Sequence, residues 1–355
     1  MSGTSLDGVD AVLADARGSQ FRLRASVHLP YPAKLRSRLL ALQESAHDEF
    51  HRAALLANEV SDLYAGAVRR LLARARVGVR AVAAIGCHGQ TVRHRPADSY
   101  TLQLVNGARL AERSGITVVC DFRSRDIAAG GEGAPLVPAF HRAMFADARR
   151  SRAIVNIGGI TNLTLLLARG AVTGFDCSPG NCLLDAWIWE KQRKSYDAGG
   201  AWAASGRVIP PLLAKLLAHP FFRRRPPKST GREEFNLRWV KRALAGRERA
   251  ADVQATLTEL TALAIARAVR RYSAGAREVF VCGGGARNRA LLARLAASLP
   301  GKRLATTAAL GIDPQHVEAL AFAWLARETL KGRPGNLPAV TGARGPRVLG
   351  AIYPR

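Results

Sequence analysis

The stretch AIVNIGGITNLTLLLARGAVTGFDCSPGNCLLDAW, residues 153–187, decides how the second half of this chain folds. It contains three short apolar runs, and each predicts a strand that ends in a tight turn. The runs lie at 153–157, 163–167 and 172–175. Gly158-Gly159 forms the first turn, where glycine lets backbone approach a ligand closely. The helix predicted to start at Pro179-Gly180-Asn181 carries Asp185, and a glycine turn followed by a carboxylate near a helix start favours nucleotide chemistry.

The first half of the chain follows a similar plan. Strands predicted at 9–14 and 21–27 form an antiparallel hairpin that turns at Arg17-Gly18, after a loop at 2–8 that is rich in small residues and hydroxyls. Further strands are predicted at 81–85, 100–105, 116–120, 278–282 and 304–306. Helices are predicted at 33–43, 47–75, 107–114, 136–146, 181–193, 208–218, 236–245, 252–273, 287–298 and 315–331.

Two halves that each open with antiparallel strands and continue with helices and strands predict a duplicated α/β fold. The two domains are expected to face each other across a central cleft. We place the N-terminal domain at 1–150. The C-terminal domain, with helical insertions, is placed at 151–355, and its last segment is a candidate to pack back on the first domain.

The two halves differ at their glycine turns, because a strand precedes the turn at 158–159 whereas the first half begins inside its loop. Either the first domain tolerates the loss of an edge strand, or the start at Met1 is misassigned. The misassigned start is the prediction, and additional N-terminal residues in the native protein would support it.

The charge of the chain is strongly basic. Lys and Arg number 53 against 27 Asp and Glu, which gives a net charge of +26 and fits nucleic-acid binding. The basic residues are mostly arginine, however, and are spread along the chain. Their densest clusters, at 69–80 and 223–225, contain no interleaved aromatic residues. A general arginine bias therefore explains the charge, and no nucleic-acid partner is expected, although a basic surface attracts anions such as ATP.

The sequence lacks the segments that direct a protein to or across a membrane. No apolar run approaches the roughly 20 residues of a membrane span, and the N-terminus has no basic-then-apolar signal pattern. A cytoplasmic protein without a membrane partner is therefore expected. The five cysteines contain no CxxC pair, which favours reduced thiols over structural zinc.

Three glycine turns lie at corresponding strand ends, at 3–8, 158–159 and 283–285. Backbone N–H groups in such turns can form nests for anions, and hydroxyl groups can add donors to phosphate oxygens. A single glycine turn often does no more than end a strand, but three at corresponding places favour a nucleotide site. Neither GxxxxGK[ST] nor GxGxxG occurs, which disfavours Walker NTPases and dinucleotide enzymes.

Seven segments of the sequence are long and unusual enough to identify a family. They are MSGTSLDGVD at 1–10, HGQTVRHRP at 88–96, DFRSRDIAAGGEGAPLVPAFH at 121–141, NIGGITNL at 156–163, PGNCLLDAW at 179–187, KSTGREEFN at 228–236 and VCGGGARN at 281–288. In this order, and over nearly the whole chain, they resemble the anhydro-N-acetylmuramic acid kinase family. That family belongs to the actin/Hsp70/sugar-kinase superfamily, so the resemblance implies two ribonuclease-H-like domains with ATP bound between them.

The resemblance also implies a reaction. Members of the family convert 1,6-anhydro-N-acetylmuramic acid, ATP and water to N-acetylmuramic acid 6-phosphate and ADP in bacterial peptidoglycan recycling. A cytoplasmic, Mg²⁺-dependent homodimer is implied as well. Two other classes stay open at this point, an ATP-gated non-kinase binding protein of the same superfamily and a basic nucleic-acid-binding protein.

Asp185 is the candidate catalytic residue. It matches the aspartate of the family motif, and one well-placed carboxylate can act as general base on the water that opens the anhydro bridge. With Asn181 as the helix N-cap, Asp185 would lie about one turn into the helix, where the dipole favours the ionised form.

The resemblance assigns the nucleotide to residues from all three glycine turns. These residues are Gly3, Thr4, Ser5, Leu6, Asp7, Gly8, Val9, Asp10, Gly158, Gly159, Gly283, Gly284, Gly285 and Asn288. Asp7 and Asp10 are the carboxylates placed nearest the metal. For Asp10 the alternative is a position in the following strand, facing solvent.

Four residues are candidates for binding the sugar. They are Gln90, Thr91, Arg123 and Glu318. Gln90 and Thr91 suit hydroxyl groups, and the Arg123 fork suits the lactyl carboxylate, with an inter-domain ion pair as its alternative role. Glu318 matches a glutamate of the family near the sugar, or is a surface carboxylate of its helix.

Other positions are interpreted without a catalytic role. His88 and His94 are expected to support the Gln90-Thr91 turn through hydrogen bonds. Cys177-Ser178 replaces the Thr-Gly that the family usually has before Pro179. Because Ser178 lacks the freedom of glycine at positive φ, a small shift of this loop is expected.

Overall fold

A computed structural model of the chain describes residues 1–3, 6, 8–17, 20–170, 172–273 and 275–355, without the side chains of Arg17 and Gln20. It has a mixed α/β structure, as the sequence predicts. The chain forms two compact units. The first combines residues 1–144 with 316–355, and the second contains residues 145–315.

The N-terminal part of the first unit alternates strands and helices. Its elements are β1 (Gly8–Arg17), β2 (Gln20–Pro30), α1 (Ala33–Ala41), α2 (Glu49–Ala75), β3 (Ile85–Gly86), β4 (Gln90–Arg95), β5 (Tyr100–Leu104), α3 (Gly107–Ser114), β6 (Val118–Cys120), α4 (Ser124–Ala128) and α5 (Val137–Phe145). β1 and β2 pair as an antiparallel hairpin, which confirms that prediction. The apolar stripe of α2, with Leu56, Val60 and Tyr64 buried, packs on this hairpin.

Two strand predictions in this part need correction. The strand predicted at 81–85 is shorter, because β3 spans only Ile85–Gly86 and a 3₁₀ turn covers Val79–Ala81. Ala81 and Ala83 are exposed, and alanine has little preference for strands without a packed face. The second correction concerns β4, which lies where the sequence predicts the Gln90-Thr91 turn. β4 pairs antiparallel with β5.

The second unit contains one five-stranded sheet and a set of helices. Its elements are β7 (Arg152–Ile157), β8 (Ile160–Leu166), β9 (Val172–Pro179), α6 (Asn181–Gln192), α7 (Ala201–Ser205), α8 (Pro210–Leu217), α9 (Leu237–Ala243), α10 (Ala250–Tyr272), β10 (Glu278–Cys282), α11 (Arg289–Ala297) and β11 (Arg303–Thr306). The strand order is β11-β10-β7-β8-β9. β7, β8 and β9 are antiparallel, whereas β10 is parallel to β7 and β11. The three strands predicted from residues 153–175 are confirmed.

Two apolar clusters hold this unit together. One lies between the sheet and the helices α10 and α11, with the buried side chains of β7 at its centre. The other joins α6 to α8, α9 and α10 through Trp187, Phe221 and Phe235. The indole N–H of Trp187 also donates to the carbonyl of Ala250 at 2.9 Å. α6, which carries Asp185, is therefore fixed to the rest of the unit along its length.

The C-terminal part of the chain completes the first unit. Its elements are α12 (Val317–Leu330), α13 (Pro338–Thr341) and β12 (Ala351–Tyr353). β12 pairs antiparallel with β6, whose other neighbour is the parallel strand β3. α12 lies directly on β3, since a Cβ atom on Gly86 would lie 2.1 Å from the carbonyl oxygen of Phe322. Glycine is therefore required for this close approach.

All five cysteines are described, are buried and form no disulfide. Among the described helices, none combines the length and the apolar character needed to cross a bilayer.

The core of the second unit gives a stability prediction. Ile154 lies at the centre of the sheet and is completely buried, so Ile154→Ala is expected to lower the free energy of unfolding by about 2–5 kcal/mol through lost burial and a residual cavity. Urea denaturation followed by circular dichroism measures this change. Leu167→Ala, at a position that is 41% exposed, is the control and is expected to change little. Equal effects of the two variants would contradict the assigned core.

Candidate active site

The turn at Gly158-Gly159 is joined to the start of α6 by backbone hydrogen bonds. The N–H of Asn181 donates to the carbonyl of Gly158 at 2.8 Å, and those of Gly180 and Cys182 donate to the carbonyl of Gly159 at 2.9 and 3.1 Å. The first N–H groups of a helix usually have no partner within the helix. Here the glycine turn supplies their acceptors, so the turn and the helix that carries Asp185 form one structural piece.

This arrangement corrects the predicted N-cap. Gly180, not Asn181, occupies the cap position of α6, and no side chain caps the helix. Asn181 is the first helical residue, and its Nδ2 donates to the carbonyl of Ile157 at 3.4 Å. A side-chain cap is not needed, because the carbonyls of the glycine turn accept the same N–H groups. Asp185 is half-buried and lies three residues after Cys182, on the same face of the helix.

The glycines at 283–285 lie against the carboxyl end of β7. Gly283 has φ +81°, and a Cβ atom there would lie 2.5 Å from Oδ1 of Asn156. A Cβ atom on Gly285 would lie 2.3 Å from Cγ2 of Ile157, and one on Gly284 would lie 3.5 Å from Nδ2 of Asn181. Two of the three predicted glycine turns therefore meet at one end of the sheet, next to the start of α6.

Asn288 and Gln315 hold the ends of this glycine segment. Oδ1 of Asn288 accepts from the N–H of Leu291 at 3.0 Å, so Asn288 is the N-cap of α11. Gln315, which the sequence analysis does not select, donates from Nε2 to the carbonyl of Gly283 at 2.9 Å.

A row of polar side chains crosses the sheet beneath the glycine turns, and the sequence analysis misses it. Nδ2 of Asn156 donates to Oδ1 of Asn162 at 3.2 Å, and Nδ2 of Asn162 donates to Oδ1 of Asp176 at 3.1 Å. The other carboxylate oxygen of Asp176 accepts from the N–H of Thr230 at 3.0 Å. The signal for this row is one amide or carboxylic acid side chain inside each of three largely apolar strands, and the strand register brings the three opposite one another.

The interpretation of Cys177-Ser178 as part of a shifted loop is wrong. Both residues lie inside β9 and are buried. Ser178 has a negative φ, as is usual in a strand, so the conformational freedom of glycine is not needed at this position. Its hydroxyl donates to the carbonyl of Pro179 at 2.8 Å.

In the first unit, the described part of the N-terminal loop is held by side chains. The carbonyl of Gly3 accepts from Nε2 of Gln90 at 3.2 Å, and the carbonyl of Leu6 accepts from Nε of Arg36 at 3.1 Å. A Cβ atom on Gly8 would lie 2.3 Å from the carbonyl of Leu29, so glycine is required there. Three predicted residues of this loop lie outside the described residues. They are Thr4, Ser5 and Asp7.

Val9 and Asp10 are neighbours in β1 with opposite orientations. Val9 is buried in the core of the first unit. Asp10 lies opposite His28 in β2, and its half-exposed carboxylate lies 2.8 Å from Nδ1 of His28. Asp10 thus occupies the strand position that the sequence analysis gives as its alternative.

Arg123 is oriented by a buried histidine. Its guanidinium donates to Nε2 of His88, from Nη2 at 2.9 Å and from Nε at 3.3 Å, and its Nη1 donates to the carbonyl of Gly133 at 2.8 Å. Nδ1 of His88 lies 3.1 Å from the carbonyl of Ser2. A neutral imidazole with its proton on Nδ1 satisfies both neighbours. Burial, aided by the charge of Arg123, places the pKa of His88 well below its ordinary value, so this neutral form is stable.

The other predicted sugar-binding residues also belong to the first unit. Oε1 of Gln90, which is buried, accepts from the hydroxyl of Tyr31 at 3.1 Å. Nε2 of Gln103 donates to the hydroxyl of Thr91 at 3.4 Å. Glu318 is half-buried in the first turn of α12. Burial lowers the pKa of the Met1 amino group, and the negative charge of Glu318 is among the smaller effects that raise it.

Comparison with known proteins shows what class of protein carries these features. The family model described as anhydro-N-acetylmuramic acid kinase matches residues 1–355. A relative of that name from Nitrosomonas europaea is 56% identical, and the match covers 100% of this chain and 98% of the relative. A relative of the same name from Pseudomonas putida is 55% identical, over 100% of this chain and 98% of the relative.

A solved structure, component A of the (R)-2-hydroxyglutaryl-CoA dehydratase of Acidaminococcus fermentans, matches with a TM-score of 0.45 and 12% identity. The match covers 88% of this chain and 95% of that chain. A similarity of this size does not by itself assign a fold.

The chain belongs to the anhydro-N-acetylmuramic acid kinase family. Membership confirms the prediction of a carbohydrate kinase and does not support the alternative of an ATP-gated non-kinase binding protein. It also supports a transferase that uses ATP and acts on a small-molecule amino sugar.

Two buried histidines and one half-buried histidine of the first unit predict loss of stability in acid. Burial lowers the pKa of His141 to about 3 and of His94 to about 4, and it places that of His88 well below 6.5. Below about pH 6.5 the unfolded chain binds these protons while the folded chain does not, so stability falls by about 1.4 kcal/mol per pH unit for each group. Thermal unfolding between about pH 7 and pH 5 measures the slope. His141→Gln is expected to reduce this slope, and an unchanged slope in the variant would contradict the assignment.

Proposed function

We propose that this chain opens the 1,6-anhydro ring of anhydro-N-acetylmuramic acid with water and transfers the γ-phosphoryl group of ATP to O6. The products are N-acetylmuramic acid 6-phosphate and ADP, and the reaction serves bacterial peptidoglycan recycling. The observation that carries this proposal is the position of Asp185, one turn after a helix start whose N–H groups are bound to the glycine turn at 158–159.

Asp185 is proposed as the general base. The carboxylate takes a proton from the water as the oxygen of that water bonds to the anomeric carbon and the bond from that carbon to O6 breaks. O6 then bonds to the γ-phosphorus as the bond to the leaving ADP oxygen breaks. One proton is released overall, so atoms and charge balance. α6 presents its N-terminal end near Asp185, and the helix dipole there favours the ionised carboxylate.

The nucleotide is proposed to bind at the glycine turns. Gly283 and Gly285 lie too close to β7 for any side chain, so this turn consists of backbone, whose N–H groups can bind phosphate oxygens. We propose that Gly158-Gly159 and Gly283–Gly285 serve ATP in the second unit, with Asn288 fixing the helix that follows. In the first unit the N-terminal loop from Gly3 to Asp10 is proposed for the β- and γ-phosphates.

Mg²⁺ is proposed to accompany ATP, where it neutralises phosphate charge. Within the described ranges no group of three or more His, Cys, Asp or Glu side chains could hold a metal ion. Mg²⁺ bound through phosphates needs only one or two protein carboxylates and keeps several waters. Asp7 and Asp10 are the proposed carboxylates, and Asp10 would have to exchange its contact with His28 for the metal.

The sugar is proposed to bind at Arg123, Gln90, Thr91 and Glu318. Arg123 suits the lactyl carboxylate because His88 and the carbonyl of Gly133 fix the plane of its guanidinium. We further propose that the ribonuclease-H-like domains lie at 1–150 and 151–355, with the last segment of the second domain, 316–355, belonging to the first compact unit. The protein is also proposed to be a cytoplasmic homodimer.

Replacing the proposed base tests the mechanism. Asp185→Asn is expected to fold and to bind ATP, but to lose both ring opening and phosphorylation by about a hundredfold or more, because the amide cannot accept the proton from water. ADP release that depends on the anhydro sugar, together with product analysis by mass spectrometry, measures both steps. Glu190→Gln removes a carboxylate from the same helix and is the control. A variant at Asp185 that retains either activity near the unaltered rate would exclude this role.

The proposed sugar contact gives a second test. Arg123→Lys keeps the charge but loses the planar fork, so the KM for the sugar is expected to rise about tenfold or more while that for ATP changes little. His88→Gln is also expected to raise the KM for the sugar, because His88 orients Arg123. Arg113→Lys, at a position whose side chain is 57% exposed, is the control. A rise in the KM for ATP alone would contradict the assignment.

A further inference from the structure

The segment KSTGREEFN, residues 228–236, is held rigidly against the end of β9 and the start of α6. Asp176 in β9 fixes its first part, since the N–H of Asp176 donates to the carbonyl of Lys228 at 3.2 Å and its carboxylate accepts from the N–H of Thr230 at 3.0 Å. The thiol of Cys182 in α6 lies 3.8 Å from the carbonyl of Phe235 at the other end. Arg232 lies between these two anchored positions in the sequence.

Arg232 lies near the face of α6 that carries Asp185. Burial raises the pKa of the Cys182 thiol to about 12, while the positive charge of Arg232 lowers it and the negative charge of Asp185 raises it. The N–H of the same cysteine donates to the carbonyl of Gly159. The segment that contains Arg232 and the glycine turn thus meet at Cys182, three residues before Asp185 on α6.

The side chain of Arg232 leaves one hydrogen-bond donor without an acceptor among the described residues. Its Nε atom is buried without a hydrogen-bond partner, and the ion pairs of the described residues do not include it. Of the neighbouring carboxylates, Glu234 accepts from Thr230 at 2.6 Å and from Arg224 at 3.1 Å. Glu233 is exposed and lies over the backbone of Gly231. A buried donor without an acceptor is unfavourable, so this position suits a ligand that offers anionic oxygens.

We propose that Arg232 binds the phosphoryl group while it passes from ATP to O6 of the sugar. Arginine matches the geometry of phosphate oxygens and carries a fixed charge, which suits a transition state whose charge spreads over those oxygens. Arg232 donates hydrogen bonds and transfers no proton. A phosphoryl group is favoured over the carboxylate of the sugar because the glycine turn proposed for phosphate contacts the same helical turn, whereas Arg123 in the first unit already suits the carboxylate.

The inference rests on the proposed function, and a three-variant comparison tests it. Arg232→Gln removes the charge, Arg232→Lys keeps it without the planar fork, and Arg238→Gln removes an exposed arginine from the following helix as the control. For Arg232→Gln, kcat is expected to fall about a hundredfold or more, with partial recovery in Arg232→Lys. Calorimetry is expected to show about tenfold weaker binding of a non-hydrolysable ATP analogue, while ADP binding is unchanged. Unchanged ADP binding also shows that the variant is folded.

Three results would overturn the inference. Arg232→Gln activity equal to that of Arg238→Gln would remove Arg232 from the reaction. A higher KM for the sugar with unaltered nucleotide binding would assign Arg232 to the sugar carboxylate. If nucleotide binding is unaltered and the acidic limb of the pH–rate profile shifts, Arg232 instead serves to keep Asp185 ionised. Failure of the proposed function is distinct, because the unaltered protein would then release no ADP in response to the anhydro sugar.

Discussion

The hydrogen bonds between the carbonyls of Gly158-Gly159 and the first N–H groups of α6 are the constraint on which the second unit depends. They require Gly180 to pass so close to the turn that a Cβ atom there would lie 2.3 Å from the carbonyl of Gly158. The contact fixes the turn, the direction of α6 and the place of Asp185 together. A shift of the turn would therefore move the carboxylate as well, and neither can be repositioned alone.

In the first unit, side chains rather than a helix start hold the N-terminal loop in place. Its N-terminal loop is held by buried polar side chains, with Gln90 bound to the carbonyl of Gly3 and His88 bound to that of Ser2. His88 also accepts hydrogen bonds from Arg123. A buried neutral imidazole thus connects the loop proposed for phosphates with the arginine proposed for the sugar. Burial lowers the pKa of His88 and keeps its imidazole neutral, so this connection is stable near neutral pH. In acid the unfolded chain binds a proton that the folded chain does not, which lowers the free energy of unfolding.

Sequence patterns predict the long and strongly periodic elements of this fold well. α2, α10 and the strands at 153–175 follow from apolar spacing, since each buries a continuous face. Features set by contacts between distant residues are not predicted. The N-cap of α6 is supplied by a turn more than twenty residues earlier, and the row from Asn156 to Asp176 exists only once the strands are in register. The strand at 81–85 is overestimated because alanines match an apolar pattern without forming a packed face.

In the proposed reaction, the attack of water on the sugar is coupled to phosphoryl transfer from ATP. The direct measurement is the reaction of anhydro-N-acetylmuramic acid and ATP in water enriched in oxygen-18, followed by mass spectrometry of the products. We predict one oxygen-18 atom at the anomeric carbon of a sugar that is phosphorylated at O6, in equal amount to ADP and with no label in phosphate. Label in inorganic phosphate, or ADP formed with the anhydro ring intact, would contradict the account.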